Sequence, residues 1–306
     1  MATIEAAQRE LRSRYLELPV LIALALAGGA IAVGVVRLKG FGPAAFSQSG
    51  QFRLWLFLIA VQTALWAIAA AALLTPTVLT TLRGVWSEAR VAVVASVVGA
   101  AIPLFGFVVY VTLHSPISSN PLPAHRWKLF GLEALGTTIA LIGVAHLALV
   151  RAALQNQATR GTLADFARYL ELRSLLQRVL AIEGAILGAA VLAAGALRNA
   201  VIAYTHHQAS YPREYVFIVG IYFTLVLAML YAPVYRKLLE VGRANLDAAC
   251  PPVEPASPEW LAAHDKREKL NQHLQLEVTT SASFRAGIAI LAPLGSALVA
   301  LLLGTH

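Results

Sequence analysis

The sequence is poor in charge and nearly devoid of cysteine, and each shortage removes a class of protein. One cysteine, Cys250, excludes an internal disulfide and any cysteine-built metal cluster within one chain, and it fits a reduced compartment. Charged residues make up 13% of the 306, about half the share of an ordinary soluble domain, while 58% are hydrophobic. No Walker loop, zinc-protease pair or nucleophile elbow occurs, and no lysine lies in an apolar run to carry a Schiff base. Enzyme is therefore the weakest class.

What is present is a set of seven apolar runs: 18–36, 54–74, 91–113, 129–150, 179–197, 215–235 and 286–303. Each has about the 17 to 25 residues a helix needs to cross the hydrocarbon layer. None alternates in the manner of a barrel strand, so the prediction is an all-α membrane protein with seven spanning helices, the first retained rather than cleaved.

The net charge of +8 suggests nucleic acid until the basic residues are sorted by loop. The N-terminal tail, 75–90, 151–178 and 236–285 hold 17 Lys and Arg, and the alternate loops hold 7. The excess is a topology signal: N-terminus cytoplasmic, C-terminus outside, in a multi-pass protein of the cell membrane. No nucleic-acid partner is expected.

Self-similarity adds organisation. Arg14-Tyr15-Leu16-Glu17-Leu18 recurs as Arg168-Tyr169-Leu170-Glu171-Leu172, and Gly34-x-x-Arg37 recurs as Gly195-x-x-Arg198. Prolines follow in step, Pro76 with Pro233 and Pro103 with Pro293. The expectation is one membrane domain over 1–306. It is built as a triple-helix repeat (14–113), a connector helix (129–150) and a second repeat (168–303) with a cytoplasmic insertion at 236–283. This three-one-three plan is similar in architecture to that of the SWEET sugar transporters, whose N-terminus lies outside.

Ionisable groups at membrane depth cost about 2.5 to 3.5 kcal/mol each and so need a reason. Glu133, His146 and Glu183 are such groups. His146 precedes Arg151 by five residues and Glu183 follows Arg178 by five, which predicts a pair near the cytoplasmic end. A second pair, Glu133 with Arg198, is the outer counterpart. At about 100° per residue, Glu133 and His146 lie about 220° apart on their helix and Glu183 and Arg198 about 60° apart on theirs, so both pairs cannot form across one straight interface. Arg37, Arg53, Arg198 and Arg213 recur at outer helix ends, placed to steer an anionic solute or to reach headgroups.

Small residues at helical spacing predict tight packing faces: Gly184 and Gly188; Ala23, Ala27, Ala30 and Gly34; Ala92, Ser96, Gly99 and Gly106; Ala289, Ala292, Ser296 and Ala300. His114, His125, His206, His207 and His306 gather outside, but without an i, i+4 pair they predict no metal, and no cofactor is expected. Ser257 with Pro258 predicts the start of an amphipathic helix that lies at the interface, covers a gate or docks a partner.

Two functions follow as expectations. The first is a secondary transporter or facilitator of a small solute, with Glu183, His146, Glu133, Arg198 and Arg37 along an ion- or proton-coupled path between the repeats. The second is an oligomeric scaffold, signalling effector or pore-forming protein whose cytoplasmic helices bind a protein partner. Membrane lipids are partners in both.

Overall fold

In lipid a backbone has only its own carbonyls to bond, so each apolar run becomes a helix. The computed structural model describes residues 2–37, 43–114, 126–206, 211–251, 260–276 and 280–302, and holds no strand among them. The helices are α1 (Ala2–Arg37), α2 (Ala44–Ser47), α3 (Gly50–Leu73), α4 (Pro76–His114), α5 (Arg126–Gln155), α6 (Leu163–Thr205), α7 (Glu214–Ala249), α8 (Trp260–Leu274) and α9 (Thr280–Leu302).

Six of them are long and apolar enough to span a membrane: α1, α3, α4, α5, α6 and α7. The seventh expected run falls on α9, whose apolar part, Gly287–Leu302, is shorter than the other six. The protein is thus a polytopic, all-helical membrane protein.

Several helices continue beyond their apolar runs. Helix α6 has 43 residues, roughly 65 Å, about twice the thickness of the hydrocarbon layer. It starts in a capping box: Thr162 Oγ1 accepts from the Asp165 N–H, and the Asp165 carboxylate accepts from the Thr162 N–H and hydroxyl, which hold that carboxyl below the usual range. Helix α7, with 36 residues, runs back to the same end. There Gly161, at φ +68°, lies so close to Ala248 and Ala249 that a Cβ would stand 2.6 Å from the Ala249 nitrogen. Only glycine meets both demands.

Helix α6 is the centre of the assembly, packing on α3, α5, α7 and α9. Gly184 and Gly188 seat α9 against it: a Cβ on Gly184 would lie 3.1 Å from the Ala289 carbonyl carbon, and one on Gly188 would lie 3.0 Å from Ser296 Oγ. The α6 stripe and the α9 stripe are therefore the packing faces expected.

The other two stripes are not. Gly34, Gly99 and Gly106 have nothing within 4 Å of a built Cβ. Helix α1 meets α3 through Gly28 and Gly29 instead, where a Cβ on Gly28 would stand 2.8 Å from the Thr63 carbonyl oxygen. Periodicity of small residues identifies a face without saying whether protein or lipid covers it.

The two triplets pack differently. Helices α6, α7 and α9 contact one another, whereas α1 packs on α3 and α4 packs on α5. Proline follows a second division: Pro19, Pro103, Pro233 and Pro293 lie inside α1, α4, α7 and α9, while α3, α5 and α6 contain none.

At the end that carries 151–178 and 236–285, hereafter the basic end, α8 is clamped to the bundle. Arg173 of α6 donates to the carbonyls of Leu274 (2.5 Å) and Gln275 (2.8 Å), closing the α8 C-terminus where Gln275 turns to φ +51°. Arg267 bonds Asp247 and the Cys250 carbonyl at the end of α7. Leu274 and Leu276 are buried. The predicted helix start at Ser257 lies outside the described residues.

Candidate functional site

Five helices of alternating direction contribute early, late, early, late and early residues to one cavity, which therefore lies towards the end opposite the basic one. Its volume is about 120 Å³, several times the ~10–15 Å³ that one water requires. The walls are helical stripes. Helix α3 gives Trp55, Ile59, Gln62 and Trp66, and α5 gives Leu129, Leu132, Glu133, Gly136, Thr137 and Ala140. Helix α6 supplies Ile186 to Leu197, with the small residues Ala190, Ala193 and Ala194 making room. Leu104, Phe107 and Val108 of α4 and Tyr215, Val219 and Phe223 of α7 complete it. Phe107 stacks on Tyr222 at 4.3 Å and meets Phe223 edge-on at 5.5 Å, holding α4 to α7.

Polar groups in this apolar lining are few. Gln62 is 5% exposed and Trp66 3%, and neither Gln62 Oε1 nor Trp66 Nε1 has a hydrogen-bond partner. Trp66 approaches α5 closely because residue 136 is glycine: a Cβ there would stand 2.8 Å from Trp66 Cε2. Thr137 turns its hydroxyl back to the Glu133 carbonyl at 2.8 Å. Among the described residues no Lys, Arg or His lines the cavity.

Leu104, Ala140 and Leu187 form a shared wall, and behind it lies a second, smaller void of about 10 Å³. Glu183 lines it, 3% exposed, among Val144, Leu147 and Val226. Its carboxyl occupies the space beside Gly143, where a Cβ would stand 2.6 Å from Glu183 Cδ. Glu183 Oε1 has no hydrogen-bond partner.

His146, one turn from Gly143 on α5, is 4% exposed. Its Nδ1 is 2.7 Å from the Ile142 carbonyl. A carbonyl only accepts, so Nδ1 carries a proton, and Nε2 is left buried without a partner.

The expected pairs do not form. Glu183 and His146 face neighbouring turns of the α5–α6 contact without an ion pair, because the imidazole is turned to its own helix and the carboxyl to Gly143. Counting depth from Arg178 also misleads, since α6 continues through Arg178 to Leu163.

Arg198, 3% exposed, does not pair with Glu133. It donates through Nε and Nη2 to the Tyr211 carbonyl at 2.9 and 2.5 Å, through Nε to the Pro212 carbonyl at 3.3 Å, and through Nη1 to Asn199 Oδ1 at 3.2 Å. These bonds hold the chain that enters α7. Arg37, which ends the matching Gly-x-x-Arg motif, is exposed at the end of α1, where Lys128 caps the Val36 carbonyl at 3.2 Å. Glu133 lines the cavity.

Of the outer histidines, His206 is the left-handed C-cap of α6, and His125, His207 and His306 lie outside the described residues. Among the described residues no cluster of metal-ligating side chains occurs.

Sequence reasoning passed over Gln62, yet it is the only Asn or Gln in any of the seven apolar runs. An amide buried in hydrocarbon carries the same demand for a reason as a charge does.

No protein-family model, curated protein or solved structure matches the chain. The functional reading therefore rests on the geometry just described.

Proposed function

We propose that this protein is a secondary transporter or facilitator of a small solute, with the cavity between α3, α5 and α6 as the solute site and Glu183 as the coupling group behind it. The observation that carries the reading is the cavity itself. It lies where helices of both sequence triplets meet the connector helix, and it is not filled by side chains.

Glu183 supports the coupling role. A carboxyl with an unpartnered oxygen is expensive at membrane depth, and it is suited to hold a proton or monovalent cation that enters with the solute. The walls shared by the two voids put it one side-chain layer from the cavity. His146, with its unpartnered Nε2 one turn further along α5, continues the series towards the basic end.

The scaffold reading depends on a free cytoplasmic helix. Here α8 spends Arg267, Leu274 and its C-terminal carbonyls on its own bundle, which counts against that role.

The test is uptake by proteoliposomes of a panel of labelled small solutes, with and without an imposed pH gradient. Gradient-driven accumulation that Glu183→Gln reduces to passive equilibration is the expected result. A folded protein that moves no member of the panel, under any gradient, would sink the proposal.

A further inference from the structure

The polar atoms of the cavity say what chemistry its occupant has. Gln62 and Trp66 are i and i+4 on α3, so they share one face of the helix. They offer it an amide oxygen that only accepts and an indole N–H that only donates, both buried and both without a partner. One hydroxyl or one carboxamide on a solute answers both, donating to Gln62 Oε1 and accepting from Trp66 Nε1. Apart from Glu133, Thr137 and Tyr215 the remaining surface is apolar, with Trp55, Phe107 and Phe223 on three different helices.

Size narrows the class further. A dry apolar cavity of about 150 Å³ in another protein takes up benzene, and this one is about 120 Å³, room for a single six-membered ring or a chain of similar bulk.

We infer that the cavity binds a small, uncharged, largely apolar molecule bearing one hydroxyl or carboxamide group, which Gln62 and Trp66 orient. The inference rests on the reading of this cavity as the solute site and names the solute class. An anion finds no cationic side chain in the described lining and shares it with the carboxyl of Glu133, and the two unpartnered groups that orient the occupant are dipoles rather than charges.

Benzamide, benzoate, benzylammonium and toluene share a ring and differ in the group that meets Gln62. Binding of each to the full chain in lipid nanodiscs is measured by saturation-transfer NMR against empty nanodiscs. Benzamide is expected to bind best. Gln62→Leu and, separately, Trp66→Phe weaken it about tenfold or more, as loss of one partner of a buried hydrogen bond does, while toluene changes less than threefold. Two variants on different polar atoms, each checked for an unchanged thermal unfolding midpoint, keep a folding failure from imitating the result.

Benzoate or benzylammonium binding more tightly than benzamide overturns the inference. So does toluene binding as well as benzamide with both variants silent, which makes the cavity a seat for lipid or detergent tails. Specific benzamide binding without liposome uptake of any solute supports this inference and sinks the transporter reading. Uptake of a charged solute with no benzamide binding does the reverse.

Discussion

The carboxyl of Glu183 on α6 occupies the place that a side chain at position 143 on α5 would need. The two helices approach closely enough to bury that carboxyl only because residue 143 is glycine.

Gly143→Ala therefore forces Glu183 out of its void or the helices apart, at an overpacking cost of about 1–3 kcal/mol. Glu183→Ala removes the obstacle. Thermal unfolding of both single variants and of the double variant should show the cost of Gly143→Ala largely abolished when Glu183 is already alanine, a coupling that independent sites do not show.

The four small-residue stripes separate under the same kind of substitution. Gly184→Ala drives a methyl into the Ala289 backbone of α9 and should lower stability by about 1–3 kcal/mol. Gly99→Ala and Gly106→Ala meet nothing and should leave stability unchanged or raise it by about 0.5–1 kcal/mol, through the better helix propensity of alanine. Unfolding midpoints in one detergent would check all three, and equal losses at the three positions would contradict the packing.

Arg198 and Arg37 both end a Gly-x-x-Arg motif in the sequence, but their surroundings differ. Arg198→Ala removes the donors that hold Tyr211 and Pro212 and should cost roughly 2–3 kcal/mol, with faster hydrogen exchange at the start of α7. Arg37→Ala should be close to silent in both measurements.

Arg173→Met keeps the bulk of the side chain and removes the charge-assisted bonds to Leu274 and Gln275. The expected outcome is release of α8, read as new protease cleavage within 260–276, while α6 and α7 keep their protection inside the membrane.

Legibility in the sequence followed the physics of each feature. The membrane helices were readable because hydrocarbon imposes length and apolarity on every span, whatever packs beside it. The continuation of α6 at the basic end was not, since Arg168, Arg173 and Arg178 interrupt hydropathy without interrupting the helix. Glu183 and Glu133 were readable as costly residues, but their surroundings depended on which helix faced them. The cavity needed Gln62, Trp66 and Gly136 together, and nothing in sequence joins positions 66 and 136. Arg37 and Arg198 look equivalent in a repeat because identity of residue says nothing of what lies within reach.

The distribution of proline divides the helices that line the cavity into those it interrupts and those it does not. Gln62, Trp66, Glu133 and Glu183 all sit on α3, α5 and α6, the helices that contain no proline. Leu104, Phe107 and Val108, the opposing wall, begin at the residue after Pro103, where α4 lacks a backbone hydrogen bond and bends most easily. A swing of α4 about that point would open the aromatic side of the cavity while the polar side kept its mutual distances. The polar groups of the cavity and the aromatic wall opposite them thereby sit on helices of different stiffness.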